Sequence, residues 1–344
     1  MKQALLVEPR HIVLQEVAQP NAGDLKEHEV LLRILRIGIC GSEIHSYRGS
    51  HPATFYPVVQ GHEYSAEVIA TGSAVTVVRA GDLATARPQL VCGQCNPCRR
   101  GQYNVCEHLR VQAFQADGAA QEYFVVTDDR VVRILEGITP DAGAMTEPVA
   151  VGAHATQRAG DLTGKNVVVS GAGTIGNMVA QFALARHARK VLITDISDYR
   201  LEVARACGII HTLNVSCTPL EEYVHEFFGD EGYQVAFEVA GVESSIRSLM
   251  ASIEKGGRIV VVAVFGKDPA LSMFHLGEHE LELIGTMMYC HEDFEGALRA
   301  IAQGKIRLEP LMSKHFPFEQ FDEAYRYIEA NPMSSMKILI DVAE

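Results

Sequence analysis

The chain has 344 residues, 47% of them hydrophobic, which is enough for two domain-sized cores. Its 43 acidic residues against 30 basic ones leave a net charge of −13, which argues against nucleic acid or an anionic membrane surface as a partner. No apolar run reaches the ~18–20 residues that span a bilayer. Glu8 and Pro9 also interrupt the N-terminus too early for a signal peptide, so a cytoplasmic location is expected.

The first 150 residues read as an irregular, β-rich domain. Short strand-like runs at Glu29–Leu35, Glu67–Thr71 and Glu122–Thr127 are punctuated by Gly, Pro and Asp. Between the first two lie Gly38-Ile-Cys40-Gly-Ser42-Glu-Ile-His45 and Gly61-His62-Glu63, two fragments with metal-ligating side chains at strand–loop junctions. A single Cys or His is more often an interior residue than a ligand, so neither fragment carries much alone. Further on, Cys92, Cys95, Cys98 and Cys106 give C-x2-C-x2-C-x7-C, half of the chain's 8 cysteines in one short loop. Four thiolates so spaced can enclose one tetrahedral zinc ion with no open position, a site that stabilises a fold and does no chemistry. An iron–sulfur cluster is the competing metal group, but the spacing departs from the common ferredoxin runs. A third ligand-bearing fragment runs from Thr146-Glu147-Pro148 to His154.

From about Val151 the texture becomes alternating helix and strand. Val167–Ser170 is a short β-branched run bounded by glycine, the pattern of a buried parallel strand. Gly171, Gly173 and Gly176, with Thr174 and Ile175 between the last two, then fit G-x-G-x-x-G. That spacing supplies a tight turn, close backbone approach to a pyrophosphate, and close helix–strand packing. The helix opening at Thr174 turns its unpaired N–H groups toward such an anion. Asp195 ends the next strand about twenty residues on, where a carboxylate accepts hydrogen bonds from an adenosine ribose and favours NAD over NADP. Arg200 either offsets that preference or flanks the adenine. Helical patterns over 174–187, 198–207, 219–228 and 243–254 interleave with strands near 167, 191, 210, 235 and 259. The expected fold class is therefore α/β, a doubly wound parallel sheet beside a β-rich domain with a zinc lobe. Glu292–Gln303 reads as a further amphipathic helix and Lys337–Val342 as a closing strand.

Read in order, G-I-C-G-S-x-x-H, G-H-E, the four cysteines, E-P-x-A-V and G-A-G-x-I-G resemble the zinc-dependent medium-chain dehydrogenases along the whole chain. Glu147-Pro148 is similar to the polyol branch, which includes sorbitol and idonate dehydrogenases. Residues 191–215 also resemble threonine 3-dehydrogenase. The resemblance implies a GroES-like catalytic domain of residues 1–152 with a C-terminal return at about 296–344. It also implies a Rossmann NAD-binding domain of residues 153–295 and two zinc ions per subunit. Catalytic zinc is then held by Cys40, His62 and a glutamate. Glu63 is expected in the resting enzyme, with Glu147 an alternating ligand or a partner of the water in the open position; the sequence leaves that choice open. Zinc acidifies a bound alcohol and the nicotinamide takes its hydride, while Ser42 accepts the proton and passes it through the cofactor ribose to His45 at the solvent.

The chain departs from the polyol branch at two places. Asp117-Gly118-Ala119-Ala120 stands where relatives carry Asp-Gly-Gly-Phe, and an alanine at 119 is poorly suited to a positive φ. Met288 stands where sorbitol dehydrogenases carry an arginine that binds a polyhydroxy substrate. Tyr47 and Met288 are thus candidate pocket residues, with Arg48, His51 and His291 as further sources of polar contacts. The substrate expected is a small secondary alcohol: a polyol, sugar alcohol or sugar acid. An amino alcohol of the threonine kind, a non-catalytic dinucleotide-binding sensor and a zinc-ribbon nucleic-acid binder are the other readings, the last opposed by the charge. By the same resemblance, the strands near Arg258–Ala263 and Leu281–Gly285 join copies into a dimer or tetramer, unless both are interior to one sheet.

Overall fold

In the computed structural model, which describes residues 1–343, the strand Glu29–Gly38 is the spine of the first of two units. That unit comprises Met1–Glu147, Cys290–Ala302 and the residues from Met312 on. Val30, Leu32, Ile34 and Ile37 of the spine are fully buried, as a strand packed on both faces requires. One edge pairs antiparallel with Glu63–Thr71. The other edge is shared: Tyr123–Thr127 lies opposite residues 29–33, and Lys337–Asp341 lies opposite residues 36–38. Register shifts between Leu31 and Leu32 and between Ile34 and Arg36 bend the spine against Glu63–Thr71. Gly38 then comes directly opposite Glu63. The expected alanine strain at 119 does not occur: its φ is not positive, and the residue is fully buried, where a small side chain fits. A two-stranded ribbon, Gln89–Leu90 with Arg110–Val111, closes the loop that carries the four cysteines.

The second unit comprises Pro148–Tyr289 and Gln303–Leu311. Six parallel strands lie in the order His211–Asn214, Lys190–Asp195, Asn166–Ser170, Val235–Glu238, Arg258–Val261, Glu282–Gly285. The chain order reverses between Asn166–Ser170 and Val235–Glu238, the switch point of a Rossmann fold. Those two central strands are buried at every position. Helices Thr174–Ala185, Asp198–Ala206, Leu220–Phe228 and Glu243–Ser252 connect them, within two residues of the sequence reading at each end. The two strands expected at a subunit boundary differ in position. Arg258–Val261 is interior, hydrogen-bonded on both sides, whereas Glu282–Gly285 is the sheet's edge. No helix among the described residues is long and apolar enough to cross a membrane.

Candidate active site

Cys40 follows the spine strand directly and caps the helix Gly41–Tyr47 with extended backbone. The helix places Glu43 one turn on, with no exposure to solvent. Its carboxylate accepts from Cys40 N at 3.2 Å and from Gly61 N at 2.8 Å, and its Oε1 stands 2.8 Å from His62 Nδ1. Burial pushes the Glu43 pKa up, but His62 and those backbone N–H groups outweigh it, and the pKa falls below the usual carboxylate range. A carboxylate on Nδ1 fixes the ring and leaves Nε2 for a metal. Gly61, with φ +91°, packs so tightly that a Cβ would lie 2.9 Å from Ala120 N.

Glu63 opens its strand on the other side of the same point, and any side chain on Gly38 would collide with its Oε2. Lys337, from the C-terminal strand, donates to Glu63 Oε1 at 2.7 Å, to Oε2 at 2.5 Å and to Ile39 O at 3.0 Å. Burial alone would strip the Lys337 proton, yet Glu63 and Cys40 hold its pKa above the ordinary lysine value. Ligand atoms of Cys40, His62 and Glu63 lie within 4.8 Å of one another. A sulfur, an imidazole nitrogen and a carboxylate oxygen so gathered, with space kept by Gly38, fit a zinc ion held by three protein ligands and one open position. Glu147, buried in the first turn of the helix Thr146–Arg158, is not a member of that cluster. Its charge nevertheless reaches Lys337.

Ser42 rests its hydroxyl 3.1 Å from Cys40 Sγ. His45 is exposed, with Nδ1 3.2 Å from Ser50 Oγ. Tyr47 is turned into the core of its unit. It is 2% exposed, packs on Tyr325 with ring centroids 5.2 Å apart, and sends its hydroxyl toward Asp322 at 3.4 Å. The helical repeat explains this: Glu43, Ile44 and Tyr47 share the inner face, while Gly41, His45 and Arg48 face out. Arg48 is engaged by Glu329 at 2.9 Å. His291 sits in the first unit, its backbone N–H bonded to the Tyr103 hydroxyl and its Nε2 3.4 Å from Glu295. Met288 lies in the second unit in a left-handed conformation, φ +47°. Glu43, Gly38 and Lys337 were not singled out from the sequence. Glu43 was readable as an acid one helical turn from a candidate ligand.

In the cysteine loop, Cys106 Sγ lies 3.6 Å from Cys92 Sγ and 3.8 Å from Cys95 Sγ. A tetrahedron with Zn–S arms of ~2.3 Å has edges of about 3.8 Å, so the spacing fits a single ion with all four thiolates. Cys98 completes the cluster. The N–H groups of Cys92, Cys95 and His108 point at Cys106 or Cys92 sulfur at 3.3–3.4 Å. Backbone N–H groups, that of Cys98 first, draw the Cys95 thiol down to about 6.

In the second unit, Gly171 has φ +107°, and a Cβ there would meet Ala240 N at 3.0 Å. A Cβ on Gly176 would overlap Gly171 O. Gly173 differs: it caps the helix Thr174–Ala185, no side chain satisfies the helix's first N–H groups, and a Cβ would meet nothing within 4 Å. Glycine there keeps space for something outside the chain, and uncapped N–H groups beside that space suit a pyrophosphate. Asp195, 8% exposed, accepts from Ala172 N at 2.8 Å and Ser197 N at 2.9 Å, so it also braces the turn. Arg200 Nη1 stands 3.9 Å from it. Asn177 adds a brace that sequence reasoning missed, donating to Ala172 O at 2.8 Å and Gly173 O at 3.0 Å.

Comparison with known proteins agrees with this geometry. Residues 26–136 match the alcohol dehydrogenase GroES-like domain, and residues 174–303 match the zinc-binding dehydrogenase domain. An L-threonine 3-dehydrogenase of Photobacterium profundum is 31% identical over 96% of this chain and 95% of its own length. The chain belongs to the zinc-dependent medium-chain dehydrogenases. A sorbitol dehydrogenase of Bacillus subtilis is 29% identical to this dehydrogenase, covering 94% of this chain and 92% of that protein. The crystal structure of galactitol-1-phosphate dehydrogenase from Escherichia coli matches with TM-score 0.92 and 29% identity, over 99% of this chain and 100% of that one. This dehydrogenase is thus an oxidoreductase acting on a small molecule, with zinc and a nicotinamide dinucleotide as its cofactors.

Proposed function

We propose that this dehydrogenase oxidises a secondary alcohol of the polyol, sugar-alcohol or sugar-acid class with NAD. The observation that carries the reading is the convergence of Cys40, His62 and Glu63 within 4.8 Å, beside a Gly38 that leaves room for the carboxylate. Those three residues hold the catalytic zinc, and Cys92, Cys95, Cys98 and Cys106 hold the structural one. When bound, zinc acidifies the substrate hydroxyl and the nicotinamide accepts the hydride. Ser42, beside the Cys40 sulfur, receives the hydroxyl proton, and exposed His45, oriented by Ser50, discharges it to solvent. Glu147 supports the same site electrostatically through Lys337. The turn of Gly171, Gly173, Thr174, Ile175 and Gly176 holds the pyrophosphate. Asp195 takes the adenosine ribose, which favours NAD, with Arg200 beside it.

A second reading, oxidation of L-threonine at its hydroxyl, is favoured by the threonine dehydrogenase relative. One experiment separates them: NADH formation on a panel of polyols, sugar acids, diols and L-threonine, with NAD and NADP run side by side and a chelator control. Chelator-sensitive turnover of a polyol with NAD supports the first reading. Turnover of L-threonine alone supports the second, and turnover with NADP alone refutes the role of Asp195. The edge strand Glu282–Gly285 supports assembly of two copies through that edge, which sedimentation at increasing concentration tests.

A further inference from the structure

His51 follows the ligand-bearing helix Gly41–Tyr47 and is held from two sides. Its ring stacks on Phe114, with centroids 4.6 Å apart and planes at 25°. Phe114 in turn packs on the His62 ring at 5.3 Å. His51 is therefore one aromatic ring away from a proposed zinc ligand. The segment that follows it is pinned to the same element, since Phe114 O accepts from Phe55 N at 2.9 Å and Gln115 Nε2 donates to Ala53 O at 2.5 Å.

The hydrogen bonds decide which ring nitrogen carries the proton. Ala53 N donates to His51 Nδ1 at 3.3 Å, and a backbone N–H cannot reverse its role. Nδ1 is thus an acceptor, and the Thr54 hydroxyl, 2.9 Å away, donates to it as well. Thr54 is supported in turn by Ser46 Oγ at 2.7 Å. The neutral ring then carries its hydrogen on Nε2, which has no partner among the described residues. Burial, with His45 and His62 nearby, lowers the pKa of His51, so the ring is a single-donor group near neutral pH.

We propose that His51 is a specificity-determining residue that donates its Nε2–H to a second oxygen of the substrate, one carbon or more beyond the reacting carbinol. The class it selects is a vicinal diol or polyol, whose carbon chain lies along Phe114. This rests on the polyol reading above. A site that presents a fixed donor discriminates against an analogue without the matching oxygen, because its own polar group is then left unpaired.

The test compares 2,3-butanediol with 2-butanol in the zinc-loaded enzyme and in H51F and H51Q, after metal content and thermal stability have been matched to the parent. Calorimetry of 2,3-butanediol binding to the NADH complex gives a readout apart from turnover. In H51F the ratio of kcat/KM for diol over mono-ol falls about tenfold, and the calorimetric affinity falls in step. H51Q, whose amide can donate in place of Nε2–H, recovers most of the ratio. An unchanged ratio in H51F, or a fall that H51Q shares fully, overturns the assignment of His51 while the polyol reading stands. A parent enzyme that turns over L-threonine but neither alcohol overturns both.

Discussion

Lys337 Nζ donates to both carboxylate oxygens of Glu63, at 2.7 and 2.5 Å, and the two side chains are 4% and 1% exposed. The pair joins the two strands that flank the spine, Glu63–Thr71 and Lys337–Asp341, with Ile39 O taking a further Lys337 hydrogen. A buried ion pair gains little over an apolar pair, yet removing one partner strands the other charge. K337M is therefore expected to cost ~3–5 kcal/mol in chelated protein, read by urea denaturation, and K337M/E63L to recover most of it. A single-variant cost below about 1 kcal/mol would show that the pair is solvated in solution.

Glu43 touches no substrate, but it fixes His62 through Nδ1. E43Q should weaken zinc at the Cys40 cluster by about 10–100-fold while leaving the four-cysteine site loaded. Competition with a chromophoric chelator, read as one tight and one weakened equivalent, checks this. Equal weakening of both equivalents would mean that the variant damages the fold instead.

C98S removes one wall of the closed cysteine cluster. One metal equivalent should be lost by elemental analysis, with a drop in melting temperature. Zinc at Cys40 and His62 should persist in the protein that stays folded. Retention of both equivalents in C98S would remove that cysteine from the ligand set.

The glycine turn offers a contrast between two single methyl groups. At Gly173 an added Cβ meets nothing within 4 Å, whereas at Gly176 it overlaps Gly171 O. G173A should unfold like the parent but bind NAD at least tenfold more weakly, since the methyl group occupies space kept for the pyrophosphate. G176A should lose stability as well. Unchanged NAD affinity in G173A, measured by calorimetry, would contradict the cofactor turn.

Sequence carried the second unit well because its signals are local. Gly171, Gly173 and Gly176 fall within six residues, and the close approaches at Gly171 and Gly176 and the open space at Gly173 match what their spacing implied. The four cysteines were legible for the same reason. The pairing of Glu63 with Lys337 was not, since 274 positions separate them and a lysine in a strand has no mark of its own. Tyr47 differs in the opposite way: it stood among the sources of polar contact that Met288 cannot supply, but the turn of the helix carries it to the inner face with Glu43 and Ile44. Which glutamate sits with Cys40 and His62 could not be read from motif order. Strand register answers it for the structure, because Gly38 lies opposite Glu63.

The separation between Glu63 and Lys337 also has a temporal side. A ribosome adding ~5–20 residues each second needs about 14–55 s to travel between the two codons. Throughout that interval the emerging Cys40–His62–Glu63 segment has no lysine with which to bury its carboxylate, and the spine strand has no Lys337–Asp341 neighbour along residues 36–38. The strand that finishes the sheet is the same strand that delivers the counter-charge. In this chain the covering of that sheet edge and the counter-charge for the Glu63 carboxylate both wait on one strand.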